Sequence, residues 1–291
     1  MKILVTGANG QLGYDVLKEL HRRKIPCRGI DREECDITNM PQVMHWMETY
    51  LPDAVIHCAA YTDVNRAQTE QALCMDINYR GSANIAAAAN KTGAKLVYIS
   101  TDYVFGSSGD RPLNIYDDKN PLNVYGETKL SGENSTRILC PRSFIVRTSW
   151  VFGINGSNFV KTMLQLGREK EEIRVVNDQI GSPTYTADLA PLLCDMALTE
   201  RFGTYHATNE GYCSWYEFAS EIMRIRRLPA KVIPVSTAEY ASAAARPLNS
   251  RLSKESLDEA GFARLPHWRD ALHRYLSELA IAEEEGIIKA F

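Results

Sequence analysis

The chain has 291 residues, 45% hydrophobic and 24% charged, with 33 Lys+Arg against 36 Asp+Glu and a formal net charge of -3. That balance excludes the basic field that nucleic-acid binding needs, and 18 Gly with 12 Pro exclude a collagen-like or low-complexity chain. No run approaches the ~20 apolar residues of a membrane span, and the apolar stretch after Met1-Lys2 is too short for a secretion signal, so a cytoplasmic protein with no nucleic-acid and no membrane partner is expected.

In chain order, strands are predicted at Ile3-Leu4-Val5, more weakly at Cys27-Arg28-Gly29-Ile30, then at Ala54-Val55-Ile56, Leu96-Val97-Tyr98-Ile99 and Phe144-Ile145-Val146. Each is brief, mostly β-branched and bounded by turn residues, as strands buried on both faces of a parallel sheet are. Helices are predicted between them: over 11–23, where Leu12, Val16 and Leu20 recur at i, i+4 and i+8, over 41–50, and over the Ala-rich stretch 78–90. The alternation gives βαβ units, whose right-handed crossovers place helices on both faces. The predicted fold class is α/β, a Rossmann-type doubly wound parallel sheet formed by a dinucleotide-binding domain over 1–150. Residues 151–291 are read mainly as a smaller C-terminal α/β subdomain, with helices at 158–170, 188–198 and 268–279 and a strand at 173–176. A strand at 203–207 is expected to complete the first sheet, and Ser214 to cap a helix beginning at Trp215.

The first strand runs into Gly7-Ala8-Asn9-Gly10-Gln11-Leu12-Gly13 and then a helix. Glycines at this spacing let the chain turn tightly and bring backbone close to a pyrophosphate, while the helix N-terminus offers N–H groups and positive dipole. The spacing is G-x-x-G-x-x-G. Asp31 lies 18 residues beyond Gly13, where a carboxylate accepts hydrogen bonds from an adenosine ribose and repels a 2′-phosphate. Arg32 pulls the other way, so NADPH and NADH both stay open as the cofactor.

The central chemical signal is Tyr125-Gly126-Glu127-Thr128-Lys129. Residues four apart on a helix share a face, so the phenol and the ammonium address one substrate atom. A nearby ammonium favours phenolate and is expected to lower the tyrosine pKa toward working pH.

Together these residues make the chain resemble the extended short-chain dehydrogenase/reductase family, and within it the dTDP-4-dehydrorhamnose reductase branch. The likeness spans nearly the whole chain. Besides the glycine loop and the Tyr125 to Lys129 pair, it rests on Cys35-Asp36-Ile37-Thr38, His57-Cys58-Ala59-Ala60-Tyr61-Thr62, Ile99-Ser100-Thr101-Asp102-Tyr103-Val104-Phe105, Arg147-Thr148-Ser149-Trp150, Asp178-Gln179-Ile180-Gly181-Ser182-Pro183-Thr184 and Ala245-Arg246-Pro247. The resemblance implies a catalytic triad. Thr101 would bond the substrate carbonyl oxygen, Tyr125 would donate the proton as hydride reaches C4, and Lys129 would bind the nicotinamide ribose and tune the tyrosine. It implies cofactor contacts at Gly7, Asn9, Gly10, Gln11, Leu12, Gly13, Asp31, Arg32, Asp36, Ile37, Ala59, Ala60, Tyr61 and Asn78, along with Tyr125 and Lys129. Substrate contacts are implied at Thr101, Asp102 and Trp150, with Gln179 and Arg246 added for the sugar nucleotide.

The reaction so implied is NAD(P)H-dependent reduction of dTDP-4-dehydro-6-deoxy-L-mannose to dTDP-L-rhamnose. A 4-ketoreductase of another nucleotide-deoxysugar and a regulatory subunit resembling the methionine adenosyltransferase β subunit remain open beside it, as does a homodimer. Trp150 ends a buried strand and reads equally as core, and Asn78 equally as a helix residue bonded to backbone. The seven cysteines, an odd number, form no CxxC pair and are expected to be reduced, with Cys58 packing in an apolar run. No metal site is expected, since the six His show no ligand spacing.

Overall fold

Local sequence sets the order of elements in the first half of the chain. These are β1 (Ile3–Thr6), α1 (Gln11–Arg22), β2 (Cys27–Ile30), α2 (Met40–Tyr50), β3 (Ala54–His57), the short helices α3 (Val64–Ala67) and α4 (Gln71–Met75), then α5 (Ser82–Thr92), β4 (Lys95–Thr101), α6 (Val124–Leu139) and β5 (Ser143–Thr148). After them come β6 (Val151–Phe152), α7 (Phe159–Glu169), β7 (Glu172–Val176), β8 (Ile180–Gly181), β9 (Thr184–Tyr185), α8 (Thr186–Ala197), β10 (Gly203–His206), β11 (Cys213–Ser214), α9 (Trp215–Arg226), β12 (Lys231–Val235), β13 (Asn249–Ser250), α10 (Glu255–Glu259) and α11 (Trp268–Glu284). The structure is a computed structural model that describes residues 1–106 and 109–284.

Six strands form one parallel sheet in the order β10-β5-β4-β3-β1-β2. This is the doubly wound α/β arrangement the alternation predicts. Its strand order reverses between β1 and β3, and ligands of such sheets sit outside the carboxyl ends of the strands at that point. The strand expected at 203–207 pairs with β5, Gly203 opposite Phe144.

One face of the sheet packs Ile3, Val5, Val97, Phe144 and Val146 against Val16 and Leu20 of α1 and Leu189 and Leu193 of α8. The other packs Leu4, Val55 and Leu96 against Met47 of α2 and Ile85 and Ala89 of α5. Each such aliphatic side chain contributes about 1.5–3 kcal/mol on burial. A separate core gathers Phe152, Leu164, Ile173, Phe218, Ile222, Trp268, Leu272 and Tyr275 from α7, α9, α11 and the β7–β12 pair. The chain enters this second core after β5, returns to the first through α8 and β10, and leaves it again. Ser214 caps α9 in a reciprocal box with Glu217, as its sequence suggests. No helix among the described residues is long and apolar enough to cross a membrane.

One local expectation is corrected. The stretch 78–90 is not a single α-helix, because Asp76–Gly81 forms a π-helical turn before α5 begins. Gly81 sits against Ile37 there, and a Cβ on it would stand 2.7 Å from the Ile37 Cδ1 atom.

Helix α6 lies unusually close to the sheet at Gly132, where a Cβ would strike the Tyr98 hydroxyl and stand 2.5 Å from the Asn78 carbonyl oxygen. Replacing a helix glycine by alanine ordinarily gains about 1 kcal/mol. Here Gly132→Ala is expected to lower stability instead, and a urea midpoint at or above that of the parent would contradict the close approach.

Candidate active site

The switch point between β1 and β3 is lined by the glycine loop. Gly7 has φ +67°, and a Cβ on it would stand 2.6 Å from the Ala59 nitrogen. A Cβ on Gly13 would stand 2.8 Å from the Gly7 carbonyl carbon, so α1 starts with backbone against backbone. Among the described residues no side chain caps that helix, whose N-cap is Gly10. An uncapped N-terminus behind a glycine cradle fits the pyrophosphate of a dinucleotide.

Asp31 ends beside this loop and accepts the Asn9 N–H at 2.9 Å and the Arg32 N–H at 2.8 Å. Arg32 itself is exposed. Asp36 turns back on Thr38, accepting its N–H and its hydroxyl at 2.9 and 2.7 Å, and Ile37 is buried beneath it. Ala59, Ala60 and Tyr61 follow β3 on the other side of the switch. Asn78 is completely buried: it accepts the Tyr61 N–H at 2.8 Å and donates to the Tyr61 carbonyl and the Thr128 hydroxyl, both at 3.1 Å. Its side chain therefore holds the Ala59 to Tyr61 segment to α6 rather than lying open at the loop.

The triad residues come from two elements, Thr101 from the end of β4 and Tyr125 and Lys129 from the start of α6. Asn123 caps that helix by accepting the Gly126 N–H at 2.9 Å. The Thr101 hydroxyl lies beside the Tyr125 phenol and favours its ionised form, while it donates to Asp102 Oδ1 at 3.0 Å and accepts the Tyr103 N–H at 3.2 Å. Lys129, buried, donates from Nζ to the Ile99 carbonyl at 2.7 Å and lies 4.3 Å over the Tyr98 ring. Burial presses its pKa down to about 8, with Glu133 opposing the fall.

The tyrosine departs from expectation. Burial, with the neighbouring Asp102 and Tyr103, raises the Tyr125 pKa above its ordinary value, and Lys129 is not among the groups that move it. The ammonium is directed to the Ile99 carbonyl and the Tyr98 ring, so the phenol keeps its proton.

Asp102 is buried beside the pair. Its Oδ1 accepts the Thr101 hydroxyl at 3.0 Å, while Oδ2 has no close partner among the described residues. Burial lifts its pKa to about 6, opposed by the hydroxyls of Ser250 and Thr101. Tyr103 meets Tyr125 edge-on at 5.6 Å and feels the charge of the Arg246 guanidinium, which reaches Asn65 Oδ1 at 3.1 Å. Trp150, at φ +49°, stacks on Trp215 at 3.7 Å, and its indole fills the space over Gly181. Ser250 of β13 pairs with Gly181, so the tryptophan wall and Asp102 border the same small sheet. Gln179 is placed differently: it is buried, with its amide donating to the Thr237 hydroxyl at 3.0 Å.

Sequence reasoning did not find Tyr103, Ser250 or Trp215, which reach the site through distant pairings. It also passed over the segment 153–158. There Asn155 donates to the Asn9 carbonyl at 2.6 Å, and the Gly153 N–H and Asn158 Nδ2 donate to Gln11 Oε1 at 2.9 and 3.1 Å. The Gly- and Asn-rich string following β6 was the available signal. Cys58 has its thiol pushed up to about 12 by burial, which suits packing. All seven cysteines are free. Among the described residues no three His, Cys, Asp or Glu side chains gather as metal ligands would.

A family model described as the RmlD substrate binding domain matches residues 1–281. The chain belongs to this family. Among relatives of this RmlD-family chain, the spore coat polysaccharide biosynthesis protein SpsK of Bacillus subtilis is 42% identical over 97% of this chain and 99% of its own. A dTDP-4-dehydrorhamnose reductase structure from Clostridium acetobutylicum superposes with a TM-score of 0.94 at 42% identity, covering 96% of this chain and 100% of that one. The dTDP-4-dehydrorhamnose reductase of Bacillus anthracis, solved in complex with NADP, gives 0.92 at 46% identity over 95% and 99% of the two chains.

Two measurements follow from the site geometry. Asp102 has a folded pKa of about 6 against an ordinary 3.8, so the folded form binds the proton more tightly and stability falls as pH rises through that window. Asp102→Asn is thus expected to raise Tm at pH 8 and to gain nothing below pH 4; equal effects at both would contradict the buried, under-paired carboxylate. Asp31→Ala frees the Asn9 N–H and removes the carboxylate that follows β2 beside the glycine loop. Fluorescence titration should show weaker binding of both dinucleotides and a Kd ratio moved toward NADPH, and an unchanged ratio would take Asp31 out of cofactor selection.

Proposed function

We propose that this RmlD-family protein is an NAD(P)H-dependent oxidoreductase that reduces the C4 ketone of dTDP-4-dehydro-6-deoxy-L-mannose to dTDP-L-rhamnose, the last step of dTDP-L-rhamnose biosynthesis. The observation that carries the reading is the Thr101 side chain at the end of β4 beside the Tyr125 phenol, with Lys129 one helical turn along. The printed names of relatives that match nearly the whole chain support the substrate.

In this reading the glycine loop, the α1 N-terminus and Asp31 hold the dinucleotide, and Ala59 to Tyr61 form the opposite wall. Bound there, the reduced nicotinamide supplies the hydride. Thr101 and Tyr125 hold the ketone oxygen between two hydroxyls, preorganised for the charge that develops on it. As C4 gains the hydride, the carbonyl π electrons move to oxygen and the Tyr125 proton passes to it. Lys129 takes the nicotinamide ribose in this reading, with its Nζ held by the Ile99 carbonyl at 2.7 Å. Burial keeps the phenol protonated until the oxygen becomes basic enough to take its proton, so Tyr125 acts as a general acid.

Asp102 and Arg246 supply polar contacts for the dTDP-sugar, and the Trp150–Trp215 stack supplies a flat apolar wall. Gln179 adds support from behind through Thr237. Residues 1–150 then hold mainly the cofactor and the rest mainly the sugar. Action in the cytoplasm and a homodimer belong to the same reading, and exposed Leu73, Tyr79 and Ile138 offer apolar surface for the dimer.

The test is loss of nicotinamide absorbance with this sugar nucleotide, run with NADPH and NADH in parallel. Tyr125→Phe should lower kcat by about 10²–10⁴-fold, the range of general acid catalysis, and leave the NADPH Kd nearly unchanged. Wild-type turnover in that variant would remove Tyr125 from the chemistry. Tight cofactor binding without turnover of the wild type would favour another deoxysugar or a regulatory role.

A further inference from the structure

Helix α6 carries a third inward polar side chain that the reaction above does not use. Glu133 lies four residues after Lys129 and eight after Tyr125, on the same face, and is completely buried. Arg147 of β5, also completely buried, meets it in a two-pronged pair, Nε to Oε1 and Nη2 to Oε2, both at 2.8 Å. Ser100 Oγ donates to Glu133 Oε1 at 2.6 Å. The rest of the guanidinium is occupied: it donates to the Ile115 carbonyl at 3.1 Å, meets His206 Nε2 at 3.3 Å, and lies 5.0 Å over the Phe105 ring. Burial and the guanidinium press the His206 pKa down to about 3, so the imidazole is neutral and accepts.

Stability does not account for this arrangement. A buried ion pair ordinarily gains little over well-packed apolar residues of the same volume, because both ions lose their hydration. Its position gives the better account. Ser100 is the neighbour of Thr101, and Glu133 is one turn from Lys129, so one carboxylate spans the two elements that supply the triad.

The surroundings of Lys129 point the same way. Facing it are Cys58 after β3, Cys74 of α4, His57 at the end of β3, the Tyr98 ring of β4, and Glu133 on its own helix. Burial pushes Cys58 up to about 12, raises Cys74, and drives His57 down to about 3, so these three are neutral near pH 7. Glu133 is the carboxylate of the set. Around it stand Arg147, Arg137 of α6 at 4.0 Å and, more distantly, Lys119.

We propose that Glu133, paired with Arg147, is a positioning residue of the reaction: it sets the register of β4 against α6 and provides the negative charge that holds the Lys129 ammonium in its buried place. The catalytic consequence rests on the reductase reading; the effect on Lys129 does not.

The test compares the wild type with Glu133→Gln, Ser100→Ala and the double variant Glu133→Gln/Arg147→Met. Removing only the carboxylate strands a buried guanidinium, so the double variant carries the argument if the single one fails to fold. Each protein is melted, titrated with NADPH by fluorescence from pH 6 to 9.5, and assayed for kcat and KM over the same range. Lys129 is held up by Glu133, so without it the ammonium loses its proton at lower pH. The alkaline limb set by Lys129 is expected to move to lower pH in the double variant than in the wild type. Its kcat should fall on the order of tenfold or more through misplacement of the triad, with sugar KM little changed. Ser100→Ala should lower kcat and leave the limb in place. A folded double variant with the wild-type limb and kcat would overturn the proposal. If the wild type fails to turn over the sugar, the reductase reading falls, while the pH limb of the NADPH Kd still decides on Glu133: a shift supports it and no shift overturns it.

Discussion

From Tyr98 to Ser100 every residue of β4 makes a hydrogen bond to α6. The Tyr98 hydroxyl donates to the Lys129 carbonyl at 3.1 Å, the Ile99 carbonyl accepts from Lys129 Nζ, Ser100 donates to Glu133, and Thr101 lies beside the Tyr125 phenol. The helix also bonds Asn78 through the Thr128 hydroxyl and rests Leu130 and Leu139 on the edges of apolar clusters. Its buried residues are Gly126, Thr128, Lys129, Gly132, Glu133, Ser135 and Thr136, none of them large and apolar. Hydrophobic burial, which fixes α1 and α8, contributes little here, and α6 is placed by close glycine contacts and directional polar bonds. Such bonds tolerate small displacements poorly, and that suits a helix that must present a phenol to one oxygen atom.

Much of the fold was legible because the strands of a doubly covered parallel sheet are short apolar runs, and Ile3-Leu4-Val5 or Phe144-Ile145-Val146 cannot be anything more exposed. The glycine loop and the Tyr125–Lys129 spacing were legible for a different reason: both depend on local geometry that a few consecutive residues define. What escaped was set from afar. The π-helical turn at Asp76–Gly81 follows from Gly81 packing on Ile37 and from Asn78 reaching Tyr61 and Thr128, contacts that no local pattern encodes. Ser250 and Trp215 join the site through β13, β8 and the Trp150 stack. The expected effect of Lys129 on Tyr125 failed because spacing gives the face of a side chain and not the direction of its donor, and here the donor finds the Ile99 carbonyl.

The site stands between groups of unlike electrostatic character. Around Lys129 the neighbours are neutral thiols, a neutral imidazole and an aromatic ring, so burial loosens the ammonium's proton and one carboxylate opposes that loss. A few ångströms along β4, Asp102 sits buried with one oxygen lacking a close partner, and there a ligand hydroxyl would relieve a cost already present in the folded protein. The two buried carboxylates thus differ in pairing: both oxygens of Glu133 meet Arg147, while Asp102 Oδ2 has no hydrogen-bond partner among the described residues.

The edge strand β10 has a consequence for how the molecule is made. Its partner β5 is synthesised about sixty residues earlier, and Phe144 and Val146 share a core with Leu189, Leu193 and Tyr205. A nascent chain that has emerged only as far as β5 therefore carries the glycine loop, the β4–α6 bonds and an open sheet edge at once, with one apolar face covered only by α1. Until α8 and β10 arrive, that edge is a template for any extended segment that meets it. Much of the second core, at α7 and β7, is threaded between the two halves of the first, so neither can finish on its own. Completion of the sheet is a late event, tied to the arrival of a strand whose His206 also meets Arg147.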